Sequence, residues 1–216
     1  MADQAVGIPI VKEGLPFVAG AGLSAVVTAG LGWPVPTALL GLATLFCAWF
    51  FRNPHRVIPE RPGALVASGD GRILAVEEEF EPRYLKARSI RISIFLNVFD
   101  VHVNRIPCEG TIEGVTYQRG QFLIASRPDA TIRNEQNAVM IRAGSGHQVL
   151  CVQVAGLIAR RIVSWVSTGE RVTRGERFGL IRFGSRMDTF LPIGSHVVVK
   201  VGDRVKGGES ILAELR

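Results

Sequence analysis

From Gly14 to Phe51 the chain carries no charged residue, a run of 38 positions. A single transmembrane helix needs about 20 apolar residues, so this run is too long for one pass. It is broken near its middle by Gly32-Trp33-Pro34-Val35-Pro36, where two prolines stop a helix and the indole of Trp33 suits a membrane interface. The pattern predicts an N-terminal hydrophobic hairpin over residues 1–51, two apolar helices of under 20 residues with both ends on one side. A secretory signal is a poor alternative, because residues 1–13 hold Asp3, Lys12 and Glu13 in place of a basic start. A helical pair packed in a soluble core is the other reading of the same residues, but core helices normally carry a polar face. Arg52, His55 and Arg56 follow at once, a positive flank that favours the cytoplasmic face of a cell membrane. Hairpins this short either span the bilayer or dip into one leaflet, and both remain open.

Beyond Arg52 the composition becomes ordinary. The whole chain has 25 Lys and Arg against 19 Asp and Glu; with Asp3, Lys12 and Glu13 set aside, residues 52–216 carry about +7. A basic domain beside a membrane is drawn to anionic headgroups. The basic residues form no cluster interleaved with aromatics, so nucleic acid is not expected as a partner. Three cysteines, Cys47, Cys108 and Cys151, make no CxxC pair. Together with four scattered histidines they argue against a disulfide scaffold or a metal site and for a reducing compartment.

The signals after residue 60 are those of short strands. Ala64–Ala67 and Arg72–Val76 flank Ser68-Gly69-Asp70-Gly71, a turn of the Asp-Gly kind. Ser89 to Val98 alternates apolar and polar, as do half-buried strands, and Val149–Ile158, Arg161–Val166 and Val197–Val201 read as further strands. No helix of three turns is expected after Phe51. The soluble part, residues 52–216, is therefore expected to be mostly β, a sandwich or barrel. Its last stretch, Val-Lys-Val-Gly-Asp-Arg-Val-Lys-Gly-Gly-Glu-Ser-Ile-Leu-Ala-Glu-Leu, resembles the closing part of a biotinyl/lipoyl-like barrel-sandwich. It lacks the Met-Lys-Met or Asp-Lys-Ala tripeptide that such carriers modify.

Conventional catalytic motifs are missing. No GxSxG is present, no spacing singles out a Ser/His/Asp triad, and no Walker motif or GxGxxG follows a strand. The informative segment runs from Arg174 to Pro192 and contains Phe183-Gly184-Ser185-Arg186. On propensity alone Gly184-Ser185 is an exposed turn. In context the segment resembles the short, bacterial and archaeal branch of phosphatidylserine decarboxylase proenzymes, where Phe-Gly-Ser-Arg stands for the Leu-Gly-Ser-Thr of longer members. The resemblance extends to Asn53-Pro-His-Arg56, Ser68-Gly-Asp70-Gly, Phe99-Asp100-Val-His102-Val-Asn104-Arg105-Ile-Pro107 and Asn134-Glu135, in register across about 165 residues.

What the resemblance implies is specific. The Ser185 hydroxyl attacks the Gly184 carbonyl, the amide becomes an ester, and elimination frees a chain of residues 1–184. Dehydroalanine remains at 185 and hydrolyses, with loss of ammonia, to a covalent pyruvoyl group (the pyruvate cofactor) on residues 185–216. The two pieces stay together as a heterodimer, with a higher oligomer also open. The ketone forms a Schiff base with the amine of phosphatidylserine, and the product is phosphatidylethanolamine. Asp70 matches the family's Asp-Gly acid and His102 the first histidine of its Asp-Tyr-His-Arg-Val-His motif. Arg105 stands where the second histidine is expected. Either His102 takes over as the base for Ser185, or the short branch positions its serine differently. The bland alternatives are a strand histidine that only packs and an aspartate that only makes a turn. A second Gly-Ser, Gly194-Ser195, lacks the surrounding match. A different class of function also fits the composition: a membrane-anchored lipoyl-like adaptor, non-enzymatic, binding anionic lipid or a protein.

Overall fold

The computed structural model describes residues 9–123, 133–156, 161–182 and 184–215. The chain divides into two compact units, Ala5–His55 and Arg56–Arg216.

In the first unit, α1 (Leu15–Gly30) and α2 (Pro34–Phe50) form the expected hairpin. Pro34 does not stop a helix; it begins one. Trp33 is the N-cap and Pro34 occupies the first turn of α2, where the missing N–H costs nothing and the fixed φ already suits a helix. The Thr37 hydroxyl donates to Thr28 Oγ1 at 3.0 Å across the pair. At the open end Val11 N–H donates to the Phe51 carbonyl at 3.0 Å and Asn53 N–H to that of Pro9 at 2.7 Å, so both ends emerge together. No residue of α1 is buried, and Leu23, Val26, Leu42 and Leu45 are each more than 60% exposed. Apolar side chains turned outward on both helices are the reverse of a soluble core pair. Lys12–Gly30 is long and apolar enough to cross a membrane, whereas α2 has 17 residues.

The second unit is mostly β. Its strands are β1 (Ala64–Val66), β2 (Gly71–Glu81), β3 (Ala87–Leu96), β4 (Val103–Arg105), β5 (Gly110–Gln118), β6 (Gln136–Ala143) and β7 (Gln148–Val154). They continue with β8 (Ile162–Ser164), β9 (Arg171–Val172), β10 (Arg177–Ile181), β11 (Ser185–Pro192), β12 (His196–Val197), β13 (Arg204–Val205) and β14 (Ile211–Glu214). Eight of them form one curled sheet in the order β13-β2-β3-β11-β7-β6-β5-β9, and two three-stranded sheets, β1-β14-β12 and β4-β10-β8, complete the unit. Ile92, Ile94 and Leu96 of β3, Ile141 of β6, Val149 of β7 and Met187 and Leu191 of β11 point into one core. Phe178 and Ile181 of β10 and Leu212 of β14 meet them from the smaller sheets.

Four expectations change. The strands around Ser68–Gly71 are not a hairpin: β1 pairs with β14, while β2 pairs with β3 and β13. Gly71 is required by close approach, since a Cβ there would strike the Phe95 carbonyl oxygen. The strand expected over Val197–Val201 stops at Val197, and Val201 is exposed in a turn. The strand read as Val149–Ile158 ends at Val154; its positions 157–158 lie outside the described residues. Finally, Ser185 is not in an exposed turn. It is fully buried and opens β11, a central strand paired with β3 on one side and β7 on the other.

Candidate active site

Alternation along β11 decides what Ser185 faces. Ser185, Met187, Thr189 and Leu191 share one side of the strand, and Met187 and Leu191 are core residues. The Ser185 hydroxyl is thus turned inward, opposite Leu96 of β3, and makes no hydrogen bond among the described residues. Leaving a buried hydroxyl unpaired costs about 1–3 kcal/mol, so its retention asks for a chemical reason. On the opposite side of β11, Arg186 and Asp188 neutralise each other, Nε to Oδ1 at 2.9 Å, with both side chains almost wholly buried.

Gly184, immediately before, has φ +62°, and a Cβ built on it would meet nothing within 4 Å. The glycine is therefore demanded by backbone conformation and not by crowding. Phe183 lies outside the described residues.

The strands β4 and β10 bring His102 to this junction. His102 immediately precedes β4, its carbonyl accepts the Ile181 N–H at 3.3 Å, and its ring is fully buried. Nδ1 lies 2.9 Å from the carbonyl oxygen of Asp100. A carbonyl can only accept, so the hydrogen sits on Nδ1 and Nε2 keeps its lone pair. Nε2 in turn receives the Gly184 N–H at 3.4 Å. A neutral imidazole whose basic nitrogen accepts the Gly184 N–H, one residue before Ser185, is a group of the kind that takes a proton from a hydroxyl.

Asp70 has other bonds. Arg56 Nη2 donates to both its carboxylate oxygens, at 2.9 and 2.8 Å, and the Gly207 N–H donates to Oδ1 at 2.8 Å. The structure thus brings His102, Gly184 and Ser185 together and ties Asp70 to Arg56 and the turn of residues 206–209, while a backbone carbonyl orients the imidazole. Gly69, the residue before Asp70, packs close to Leu96 and Met187, since a Cβ there would lie 3.3 Å from each. Beside it the Ser68 hydroxyl, the Thr189 hydroxyl and the Cys151 thiol form a buried polar cluster, Ser68 Oγ lying 3.3 Å from Thr189 Oγ1 and 3.6 Å from Cys151 Sγ. Burial pushes the Cys151 thiol up to about 12, so it stays protonated and is no nucleophile.

Arg105 donates to the Gly175 carbonyl at 2.8 Å. Burial, then the neighbouring Arg56 and Arg177, lower its guanidinium to about 10. It remains a cation at neutral pH and cannot serve as a base. Ser195 is accounted for by its own turn, Oγ donating to the Pro192 carbonyl at 2.8 Å, and His147 by a contact with Ser145 Oγ at 3.1 Å. The residues missed in the sequence are Asp100 and Gly207, which act through a backbone carbonyl and a backbone N–H and so have no side-chain signature.

Comparison with known proteins gives the family. The family model described as phosphatidylserine decarboxylase matches residues 43–213. A phosphatidylserine decarboxylase proenzyme of Nitrosomonas eutropha is 50% identical over 210 residues, covering 96% of this chain and 95% of that protein. Proteins of the same name from Syntrophus aciditrophicus and Desulfotalea psychrophila are 44% and 40% identical, over 94% and 96% of this chain and 96% and 97% of their own lengths. The chain belongs to the phosphatidylserine decarboxylase family.

Proposed function

We propose that this protein is a self-cleaving precursor that becomes a decarboxylase of phosphatidylserine, yielding phosphatidylethanolamine and CO2, and that Ser185 is the residue converted to the pyruvoyl cofactor. The observation that carries the reading is the lone-pair nitrogen of His102 accepting the Gly184 N–H, one residue before a buried Ser185 hydroxyl that has no hydrogen-bond partner among the described residues. In the first step His102 Nε2 takes the Ser185 Oγ proton as the oxygen bonds to the Gly184 carbonyl carbon. The Gly184–Ser185 C–N bond then breaks, and the imidazolium returns its proton to the departing nitrogen. Loss of the Ser185 α-proton with cleavage of the Cβ–Oγ bond frees the Gly184 carboxylate. The dehydroalanine left at 185 takes up water and loses ammonia, so that residues 1–184 and 185–216 form the mature heterodimer. Gly184 leaves its carbonyl unshielded, and its left-handed φ holds the peptide in a conformation that few other residues adopt.

The resulting ketone would accept the amine of the substrate and the electrons released with CO2. His102, already buried at that position, would hold the proton returned to the α-carbon. Asp70 contributes by fixing the turn of residues 206–209 through Gly207. Leu96 and Met187 exclude water around residue 185. We assign the hairpin, residues 1–51, to holding the catalytic unit at the cytoplasmic face of the membrane, where the substrate resides; α1 and its outward apolar side chains support this. For the closing strands we propose a barrel-sandwich of the lipoyl type, supported by the β1-β14-β12 sheet and the Val198 N–H to Leu212 carbonyl bond at 2.9 Å. The non-enzymatic adaptor is not favoured, since the relatives are named as decarboxylase proenzymes.

Intact-mass spectra of the full-length protein test the proposal. Wild type should resolve into residues 1–184 and a 185–216 piece that reacts with a carbonyl reagent, and it should release CO2 from phosphatidylserine. Ser185→Ala should stay whole and inactive, while Ser185→Cys should cleave slowly, since a thiol can make the same shift. Two pieces from Ser185→Ala would remove the assignment.

A further inference from the structure

The loop that carries His102 is fixed by a carboxylate that the reaction itself does not use. Asp100 is 6% exposed. Its Oδ2 accepts the Asn97 N–H at 2.9 Å, and its own N–H donates back to the Asn97 carbonyl at 3.0 Å, which closes the turn after β3. Its Oδ1 accepts from Arg204 Nη2 at 2.7 Å. The Asn97 side chain adds a third tie, its Oδ1 accepting the Phe99 N–H at 2.7 Å. The Asp100 peptide is thereby held from both sides, and its carbonyl is the group that receives His102 Nδ1–H. Where a buried carboxylate usually fixes the tautomer of a catalytic histidine, here a carbonyl does so, and that carbonyl is only as well aimed as the side chain that anchors it.

Arg204 enters from the far end of the sequence. It lies on β13, whose partner is β2, with Arg204 opposite Arg72, and its side chain is largely exposed while that of Asp100 is not. We propose that Asp100 is a positioning residue for His102, and that Arg204 holds it in place from within the 185–216 segment. The part of the chain that is to become the shorter product thus sets the tautomer of the base that releases it. Breaking the bond at 184–185 leaves this pair as an ionic tie between the two products, so the same device serves His102 in turnover. The inference rests on His102 being the base for Ser185.

The test is a cycle on the full-length protein in detergent, followed by intact mass over time. Arg204→Ala should slow self-cleavage about 10- to 100-fold, the scale set by misplacing a catalytic group by an ångström or less. Arg204→Lys should restore most of the rate. Asp100→Asn, which keeps an acceptor for Asn97 but drops the charge, should act in the same direction. In a His102→Ala background the added Arg204→Ala should leave the residual rate unchanged, because residues that act through one another are non-additive. Equal slowing in both backgrounds, or none in wild type, overturns the proposal. A second measurement uses the Ser185→Ala protein, whose site stays as a precursor. Side-chain nitrogen shifts should show His102 with its hydrogen on Nδ1, and adding Arg204→Ala should give mixed tautomers. An unchanged Nδ1–H form overturns the positioning role. A wild-type chain that never cleaves would count against the proposed function instead, and the tautomer measurement would still decide the role of Asp100.

Discussion

Gly184 offers the sharpest quantitative test, because the structure separates two reasons for a glycine. A Cβ at 184 would meet nothing within 4 Å, so a steric contribution is absent. What remains is the φ of +62°. For an L-residue the left-handed region costs about 1–2 kcal/mol, which corresponds to a factor of roughly 5–30 in the population of the competent backbone. Gly184→Ala should therefore mature about 5- to 30-fold more slowly than wild type. Asn tolerates this region better than Ala, so Gly184→Asn should fall between the two. Val is the least tolerant of a positive φ and should be slowest. The assay is the fraction of intact 216-residue chain against time by mass spectrometry, from synchronised cell-free synthesis at one temperature. Equal rates for Gly, Ala and Val would refute the conformational argument. A loss beyond about 10³-fold for Ala would refute it from the other direction, since 2 kcal/mol cannot supply so much, and would mean that the methyl group obstructs the attack on the carbonyl.

The remaining predictions are more direct. His102→Ala should accumulate as the whole precursor, cleaving about 10²–10⁴-fold more slowly, as checked by the same spectra; maturation at the wild-type rate without decarboxylation would confine His102 to the second reaction. Asp70→Asn should mature more slowly than wild type without stopping, and in a Ser185→Ala background should lose about 3 kcal/mol of stability in denaturant titrations, because the buried Arg56 guanidinium is left facing Glu209 alone at 3.8 Å. Removal of residues 1–51 should give a protein that still cleaves itself but loses activity on bilayer substrate while keeping it on detergent-dispersed lipid; equal turnover of bilayers would show that the hairpin is not a substrate-presenting anchor. Cys108 and Cys151, whose thiols burial raises to about 12, should remain unalkylated by iodoacetamide at pH 8 in the native protein and react fully on denaturation, as peptide mapping would show; rapid native labelling of either would contradict their burial.

The sequence announced some of this architecture and concealed the rest for identifiable reasons. An uncharged run interrupted by Trp33 and Pro34 could hardly be anything but two helices, although Pro34 proved to open the second helix and not to close the first. Ile90, Ile92, Ile94 and Leu96 alternate cleanly because only one face of β3 reaches the core. The central strand β11 was missed because Arg186 and Asp188 look like surface residues; their charges cancel against each other inside the protein, two positions apart on one face, and periodicity of hydrophobicity cannot register that. The turn at Ser68–Gly71 was visible, but not its partners, because β1 pairs with a strand near the other end of the chain. At the site, Gly184, Ser185, His102 and Asp70 were legible only through family resemblance. The carbonyl of Asp100 was not legible at all, since every residue has a carbonyl and only the fold decides where it points.

The position of β11 has a further consequence for the molecule's life after cleavage. The proposed scissile bond lies at the start of a strand whose eight residues are all paired with β3, five of them also with β7. The segment beyond it supplies β13 to the same sheet and β12 and β14 to another. Cutting before Ser185 would touch only the first rung, Ser185 with Leu96, whose residue-185 nitrogen leaves as ammonia, so the nicked protein would inherit the rest of the precursor's ladders. Once denatured, however, the two pieces would have to find each other, and a short peptide would need to thread into the middle of a sheet already closing around its absence. Refolding would then depend on concentration, whereas the uncut chain folds by a unimolecular path. The precursor would thus act as its own folding template, used once, and the mature enzyme's persistence would be a matter of how slowly it opens and not of how readily it could form again.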